Sequence, residues 1–245
     1  IGVGLWVGIP MFTAAAAKWI PPSAEEKLGR LVADQFSPPD RTCTSSELQS
    51  ATDEIVQRLE RHVDGNYEYR VRVAEAEMMN AVAAPGGHIV VFRDLLQATG
   101  SPDELASVLA HEMQHVAHQH STQALVRQLG VRGLFLLTGA DGSQVWEAVA
   151  QLGGLRFQRK DEEQADAEAM RTLVEAGVPL SAMASMFRKL ERVEGELPRE
   201  FEYLSTHPNT KERVLAIERE ARDRRVTARP FRSSSDWTRI RHLCR

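Results

Sequence analysis

Cysteine is almost missing from this sequence: Cys43 and Cys244 are the only two among 245 residues. A dense disulfide framework is therefore excluded, and the pair reads either as one disulfide joining the two ends or as two separate thiols. A strong charge of one sign is missing too. With a net charge of -4 and a pI near 6.1, nucleic acid is not an expected partner. Basic residues concentrate only in the tail, from Arg222 to Arg245, which reads first as a solvated face and second as a contact for an anionic surface. Internal repeats and low-complexity tracts are also lacking, which sets aside solenoids and disordered arrays. What remains is a 27.4 kDa chain, long enough for one substantial core.

One long apolar run does occur. Residues 1–20 carry a single charge, Lys18, before Pro21 and Pro22, and about 20 apolar residues suffice to span a bilayer. Residues 1–21 are therefore expected to be the end of a membrane anchor or signal-anchor, and residues 22–245 a folded domain in a membrane-anchored or periplasmic setting. Gly2, Gly4, Gly8 and Pro10 favour a buried or amphipathic segment instead, being poor helix formers in water. An exported chain would meet an oxidising compartment, where a Cys43–Cys244 disulfide persists.

The chemistry begins at His111-Glu112-Met113-Gln114-His115, an HEXXH pattern. On a helix this spacing puts two imidazoles one turn apart on one face. The flanks support a helix. Ser101 can cap it, Pro102 suits its first position, and Glu104 would complete a Ser-x-x-Glu capping box. Leu105, Val108, Leu109 and Val116 recur at helical spacing. Neutral imidazoles hold zinc at about 2.0–2.1 Å, and catalytic zinc sites keep three protein ligands and an open position for water. Glu112 is placed to be the general base for that water.

A third ligand must come from elsewhere. His118 lies about 10 Å along the helix axis from His111 at 1.5 Å per residue, and His120 on a straight helix points to another side, so both read as polar helix residues. The segment from Arg159 to Asp166 opens a second helix, with Ala165, Ala169, Met170 and Leu173 as its apolar stripe and Gly177 and Pro179 as its end. Glu162 and Asp166 fall one turn apart beside that stripe. They are either a zinc ligand and the carboxylate that orients a ligand histidine, or part of a solvated acidic first turn favoured by the helix dipole. Periodicity alone leaves both readings standing.

Alternation at Tyr67, Tyr69, Val71 and Val73, then Ala81 to Ala83, then Ile89 to Phe92, predicts a small antiparallel sheet with Pro85-Gly86-Gly87 as a turn. An edge strand at Asn80, Ala81, Val82 and Ala83 would bind an extended polypeptide through backbone hydrogen bonds. Helices are also expected over 23–35, 45–62 and 209–222. The stretches 131–137 and 145–152 look like two helical pieces, core or lid.

Taken together, HEXXH, Arg159-x-x-Glu162-x-x-Ala165-Asp166, the segment from Asn80 to Ile89, and Ser205-Thr206-His207-Pro208 with Arg213 resemble the CAAX prenyl protease and HtpX family of gluzincin zinc metallopeptidases. The resemblance covers about residues 67 to 215. It implies a mainly helical α+β domain, one zinc held by His111, His115 and Glu162, Asp166 behind a ligand, and His207 and Arg213 near the metal. His207 would help hold the oxyanion, or cap the zinc and repress activity, as in some periplasmic relatives. The expectation is a zinc metalloendopeptidase acting on unfolded or envelope proteins. A zinc-bearing, chaperone-like quality-control factor with repressed proteolysis is the alternative.

Overall fold

The structure is a computed structural model and describes residues 17–127, 157–193, 207 and 211–244. The chain enters through α1 (Pro22–Phe36), which starts on Pro21 and Pro22 and buries Leu28 and Val32. Next comes α2 (Ser46–Leu59), capped by the Ser45 hydroxyl, which accepts from the Leu48 N–H at 3.4 Å. A single 3-10 turn carries α2 on to His62. Three strands follow, β1 (Arg70–Ala74), β2 (Ala81–Ala83) and β3 (His88–Phe92), in the spatial order β1-β3-β2.

The sheet is mixed, which corrects the all-antiparallel expectation. The tight turn makes β2 antiparallel to β3, with Val82 opposite Val90, whereas β1 runs parallel to β3, with Arg72 opposite Val90. The turn determines only the pair it joins. After β1 the chain crosses to the far side of β3 before β2 begins, and that crossing sets the direction of β1. Gly86 (φ 68°) and Gly87 (φ 94°) make the turn possible. A Cβ at Gly87 would stand 2.2 Å from the Glu68 carbonyl oxygen, so only glycine fits there. The outer edge of β1 is covered at one end by Thr42 and Cys43, the latter donating its N–H to the Val73 carbonyl at 2.9 Å. β2 forms the other edge.

A short α3 (Arg93–Ala98) leads into α4 (Pro102–Ala117), which carries HEXXH. Its start follows half of the expected capping box: the Ser101 hydroxyl accepts from the Glu104 N–H at 3.3 Å. The Glu104 carboxylate does not reach back to Ser101. It takes the Gly100 N–H, the Ser185 hydroxyl and the Lys189 ammonium instead, because those donors are offered by the turn before α4 and the helix beside it. α4 is buried nearly all round, since the sheet packs on one side and three helices on the others. Leu105, Leu109 and Met113 are fully buried, each worth roughly 1.5–3 kcal/mol of transfer free energy.

α5 (Arg159–Ala176) packs closely along α4 through Ala165 and Ala169, whose small side chains allow the approach. Gly177, at φ 72°, ends it, and the Val178 N–H returns to the Leu173 carbonyl at 2.8 Å in a Schellman-type closure. α6 (Leu180–Val193) and α7 (Lys211–Asp223) complete the wall behind the site. The tail folds back through α8 (Trp237–Ile240), where the Trp237 indole donates to the Thr99 hydroxyl at 3.1 Å. Cys43 and Cys244 form a disulfide with a Cα–Cα distance of 5.3 Å, so the two ends of the domain are joined as one of the two sequence readings expected.

Residues 1–16 of the apolar N-terminal run and the stretches 131–137 and 145–152 lie outside the described residues. Among the described residues, no helix is long and apolar enough to cross a membrane. Trp19, at the end of the apolar run, is 86% exposed.

Candidate metal centre

The 3.6-residue period of α4 stacks His111 and His115 on the side facing α5, and the same period on α5 brings Glu162 and Asp166 to meet them. All four side chains are buried. His111 Nε2 and His115 Nε2 stand 3.0 Å apart. Glu162 bridges beneath them, with Oε2 3.4 Å from His111 Nε2 and Oε1 3.3 Å from His115 Nε2. His207 comes in from the segment before α7, with Nδ1 3.3 Å from His111 Nε2 and 3.1 Å from Glu162 Oε1. One ligand atom from each of these four residues lies within 4.8 Å of every other.

These distances test whether the residues suit zinc. Four donors at about 2.0–2.1 Å from one ion in a tetrahedron are spaced about 3.3 Å apart along its edges. The closest spacings, 3.0 to 3.4 Å, are near that figure, with His111 Nε2 against one Glu162 oxygen and His115 Nε2 and His207 Nδ1 against the other, and three nitrogens with one carboxylate is a borderline donor set of the kind zinc takes. Three imidazoles and a carboxylate converging on one buried point are costly to bury unless a cation or donors satisfy them, and a metal ion would satisfy all four at once.

Behind the donors lies a ring of support. Asp166 Oδ1 is 3.0 Å from His111 Nδ1. The Arg213 guanidinium forks onto the same carboxylate, Nε to Oδ2 at 2.6 Å and Nη2 to Oδ1 at 2.9 Å, while its Nη1 reaches Glu162 Oε2 at 2.7 Å. Arg213 is buried and bound to both carboxylates, not solvated as an arginine early in an exposed helix would be. Glu112, fully buried, places Oε1 3.5 Å from His207 Nε2. Phe157 stacks on His115 with ring centroids 3.9 Å apart and leans on His207 at 4.9 Å.

The electrostatics divide the histidines. Burial disfavours the charged form of His111, but its bonds to Asp166 and Glu162 outweigh that and lift its pKa to about 9. Burial dominates at His115 and takes it down to about 3 despite Glu162. Burial would raise Glu162, yet the surrounding histidines hold it well below the usual carboxylate range. Asp166 is likewise kept low, by Arg213 and His111 against burial. The ionised carboxylates and the neutral His115 are in the states that metal ligation requires, whereas His111, held protonated by the two carboxylates, gives up a proton when a metal binds.

Two features escaped the sequence reading. The first is Phe157, which no motif marks. The second is His120, set aside as pointing elsewhere on a straight helix. α4 in fact stops: His118 leaves helical angles and Gln119 takes φ 55°. The chain is helical again over 120–127, and the bend turns His120 back to within 3.1 Å of His115, Nδ1 to Nδ1. His118 does stay outside the site, beside the Gln164 amide at 3.1 Å. Asn80 to Ala83 lie next to α4 but with their edge partly engaged: the Ala81 N–H donates to Asn80 Oδ1 at 2.8 Å, and the Ser121 hydroxyl donates to the Ala83 carbonyl at 2.6 Å.

Several known proteins are similar in sequence to this chain. Mitochondrial metalloendopeptidase OMA1 of Schizosaccharomyces pombe is 30% identical over 57% of this chain and 42% of its own length. The Beta-barrel assembly-enhancing protease of Yersinia pestis is 32% identical over 66% of this chain and 36% of its own length. Metalloprotease LoiP of Escherichia coli (strain K12) is 28% identical over 71% of this chain and 70% of its own length. The chain therefore spans less than half the length of the first two relatives. The Peptidase family M48 profile matches residues 43–221, well over half of the sequence and inclusive of all four clustered donors, and the chain belongs to that family.

Proposed function

We propose that this chain is a zinc metalloendopeptidase that cleaves extended stretches of misfolded or envelope proteins. The observation that carries the reading is that His111 Nε2 and His115 Nε2 stand 3.0 Å apart and each lies within 3.4 Å of the Glu162 carboxylate, with Glu112 on the same helix. Zinc held there supplies Lewis acidity and brings the pKa of a water toward about 7. Glu112 takes the proton of the attacking water and delivers it to the leaving amine. Asp166 fixes the ring of His111 from behind, and Arg213 holds Asp166 and Glu162 in place. An extended substrate adds to β2 beside α4, working around the two hydrogen bonds that already engage Ala81 and Ala83. The apolar N-terminal run supports a setting at a membrane in an envelope compartment, with which the Cys43–Cys244 disulfide is consistent.

A second reading has its own support. His207 Nδ1 lies 3.3 Å from His111 Nε2 and 3.1 Å from Glu162 Oε1, so His207 would serve as a fourth protein donor to a metal held there, in the place a water would otherwise take. In that state the protein holds zinc with repressed proteolysis, as a chaperone-like factor would, and cleavage requires His207 to leave. Having left, His207 would be free to donate a hydrogen bond to a developing oxyanion. Metal analysis of Glu162→Ala tests the ligand set: loss of zinc is expected, and one zinc per chain retained would overturn it.

A further inference from the structure

The two α4 histidines are supported differently from behind. His111 faces the cluster through Nε2, and its Nδ1 meets the Asp166 carboxylate. His115 also faces the cluster through Nε2, but its Nδ1 meets another imidazole, His120 Nδ1, at 3.1 Å. His120 is 3% exposed, and its ring stands 5.1 Å from that of His115 at 67°. Its position is built rather than incidental. The break after α4 that delivers it puts a non-glycine residue, Gln119, in the left-handed region, an arrangement that costs about 1 kcal/mol or more. The Gln119 amide is tied down on Glu25 at 3.1 Å, and the Gln119 N–H on the Val116 carbonyl at 2.8 Å.

We propose that His120 is a positioning residue of the metal centre, accepting the Nδ1 proton of His115 on its own Nδ1. The inference rests on the zinc reading above. An imidazole that coordinates through Nε2 carries its proton on Nδ1, and in a dry site that proton needs an acceptor. Among the side chains described here, His120 supplies it, while Phe157 on the face of His115 prevents the ring from tipping. To accept, His120 must hold its own proton on Nε2. That nitrogen points at Asp161 Oδ1, 3.9 Å away, too far for a direct hydrogen bond but close enough for one water or for charge to favour this tautomer. Asp161 is itself anchored by Arg127 at 3.3 Å and by the Gln158 N–H at 3.0 Å. A neutral imidazole attracts the Nδ1 proton less than a carboxylate does. His111 is therefore the more strongly polarised ligand, and His115 binds as a plain neutral imidazole.

The test is zinc affinity by chelator competition on the whole chain, for the wild type, His120→Leu and His120→Asn, with metal-free melting measured alongside. An asparagine places a carbonyl oxygen near the position of Nδ1 and so restores the acceptor. His120→Leu is expected to lose about 10- to 100-fold in zinc affinity, His120→Asn to stay close to wild type, and the metal-free melting temperatures to remain together. Equal zinc affinity in His120→Leu and the wild type overturns the proposal, as does an Asn variant as weak as the Leu variant. A wild type that binds no zinc overturns the metal reading itself, a distinguishable result. Should the variants fail to fold, nitrogen-15 histidine spectra of the zinc-loaded wild type decide: His120 is expected to show an unprotonated Nδ1 and a protonated Nε2, and a protonated Nδ1 refutes the assignment.

Discussion

Replacing Asp166 with asparagine removes one negative charge from the centre while keeping the shape of the side chain. Asp166 accepts two bonds from Arg213, at 2.6 and 2.9 Å, and lies 3.0 Å from His111 Nδ1. Removing one partner of a buried ion pair costs about 3–5 kcal/mol. Arg213 keeps Glu162 as a partner at 2.7 Å, so the lower end, about 3 kcal/mol, applies. At about 2–4 °C per kcal/mol for a chain of this size, the metal-free melting temperature should fall by about 6–12 °C. Zinc affinity should drop by about 10- to 100-fold, because His111 loses the carboxylate that orients it. The assay is circular-dichroism melting in chelator-treated buffer, followed by zinc titration. A melting temperature within 2 °C of wild type (~1 kcal/mol or less) together with unchanged zinc affinity would refute the view that Asp166 serves as the charged support of the centre.

Three further outcomes follow from other parts of the structure. The Cys43–Cys244 disulfide closes a loop with a sequence separation of 201, for which chain entropy gives a ceiling of about 5 kcal/mol; the double serine variant should lose about 2–5 kcal/mol in urea unfolding, and equal stability would show that the link contributes nothing. Burial holds the His88 imidazole below its ordinary pKa, with Glu26 opposing only in part, so the unfolded chain binds its proton first. Stability tied to His88 is thus complete above about pH 6.5 and declines as pH falls below it; His88→Leu should flatten that acid limb, and an unaltered limb would count against it. His207→Ala should weaken zinc binding and increase cleavage of an unfolded protein if the four-donor state is the resting one. Reduced cleavage at unchanged zinc affinity would instead assign His207 to the oxyanion.

The parts of the site legible in the sequence were those set by a fixed period. HEXXH and the Glu162-Asp166 step each depend on one helical turn, and α4 and α5 deliver both as spacing requires. Chain-order cues also sufficed for the Pro85–Gly87 turn and the end of α5 at Gly177. What could not be read were features decided by where the chain breaks or crosses. The left-handed Gln119 carries no glycine to advertise it, so His120 was projected along a helix that does not continue. The direction of β1 depends on a crossing that no local alternation records. The buried state of Arg213 follows from α7 packing on α5 and α6, a tertiary fact invisible in a charged helical segment.

The central claim is that Glu112 performs proton transfer at a zinc held by His111, His115 and Glu162. It is tested most directly by zinc content and casein cleavage measured together on Glu112→Gln, in the wild-type background and in His207→Ala so that a closed resting state does not mask turnover. The account predicts one zinc per chain and no cleavage in both backgrounds. Cleavage by Glu112→Gln at the rate of its parent would contradict it.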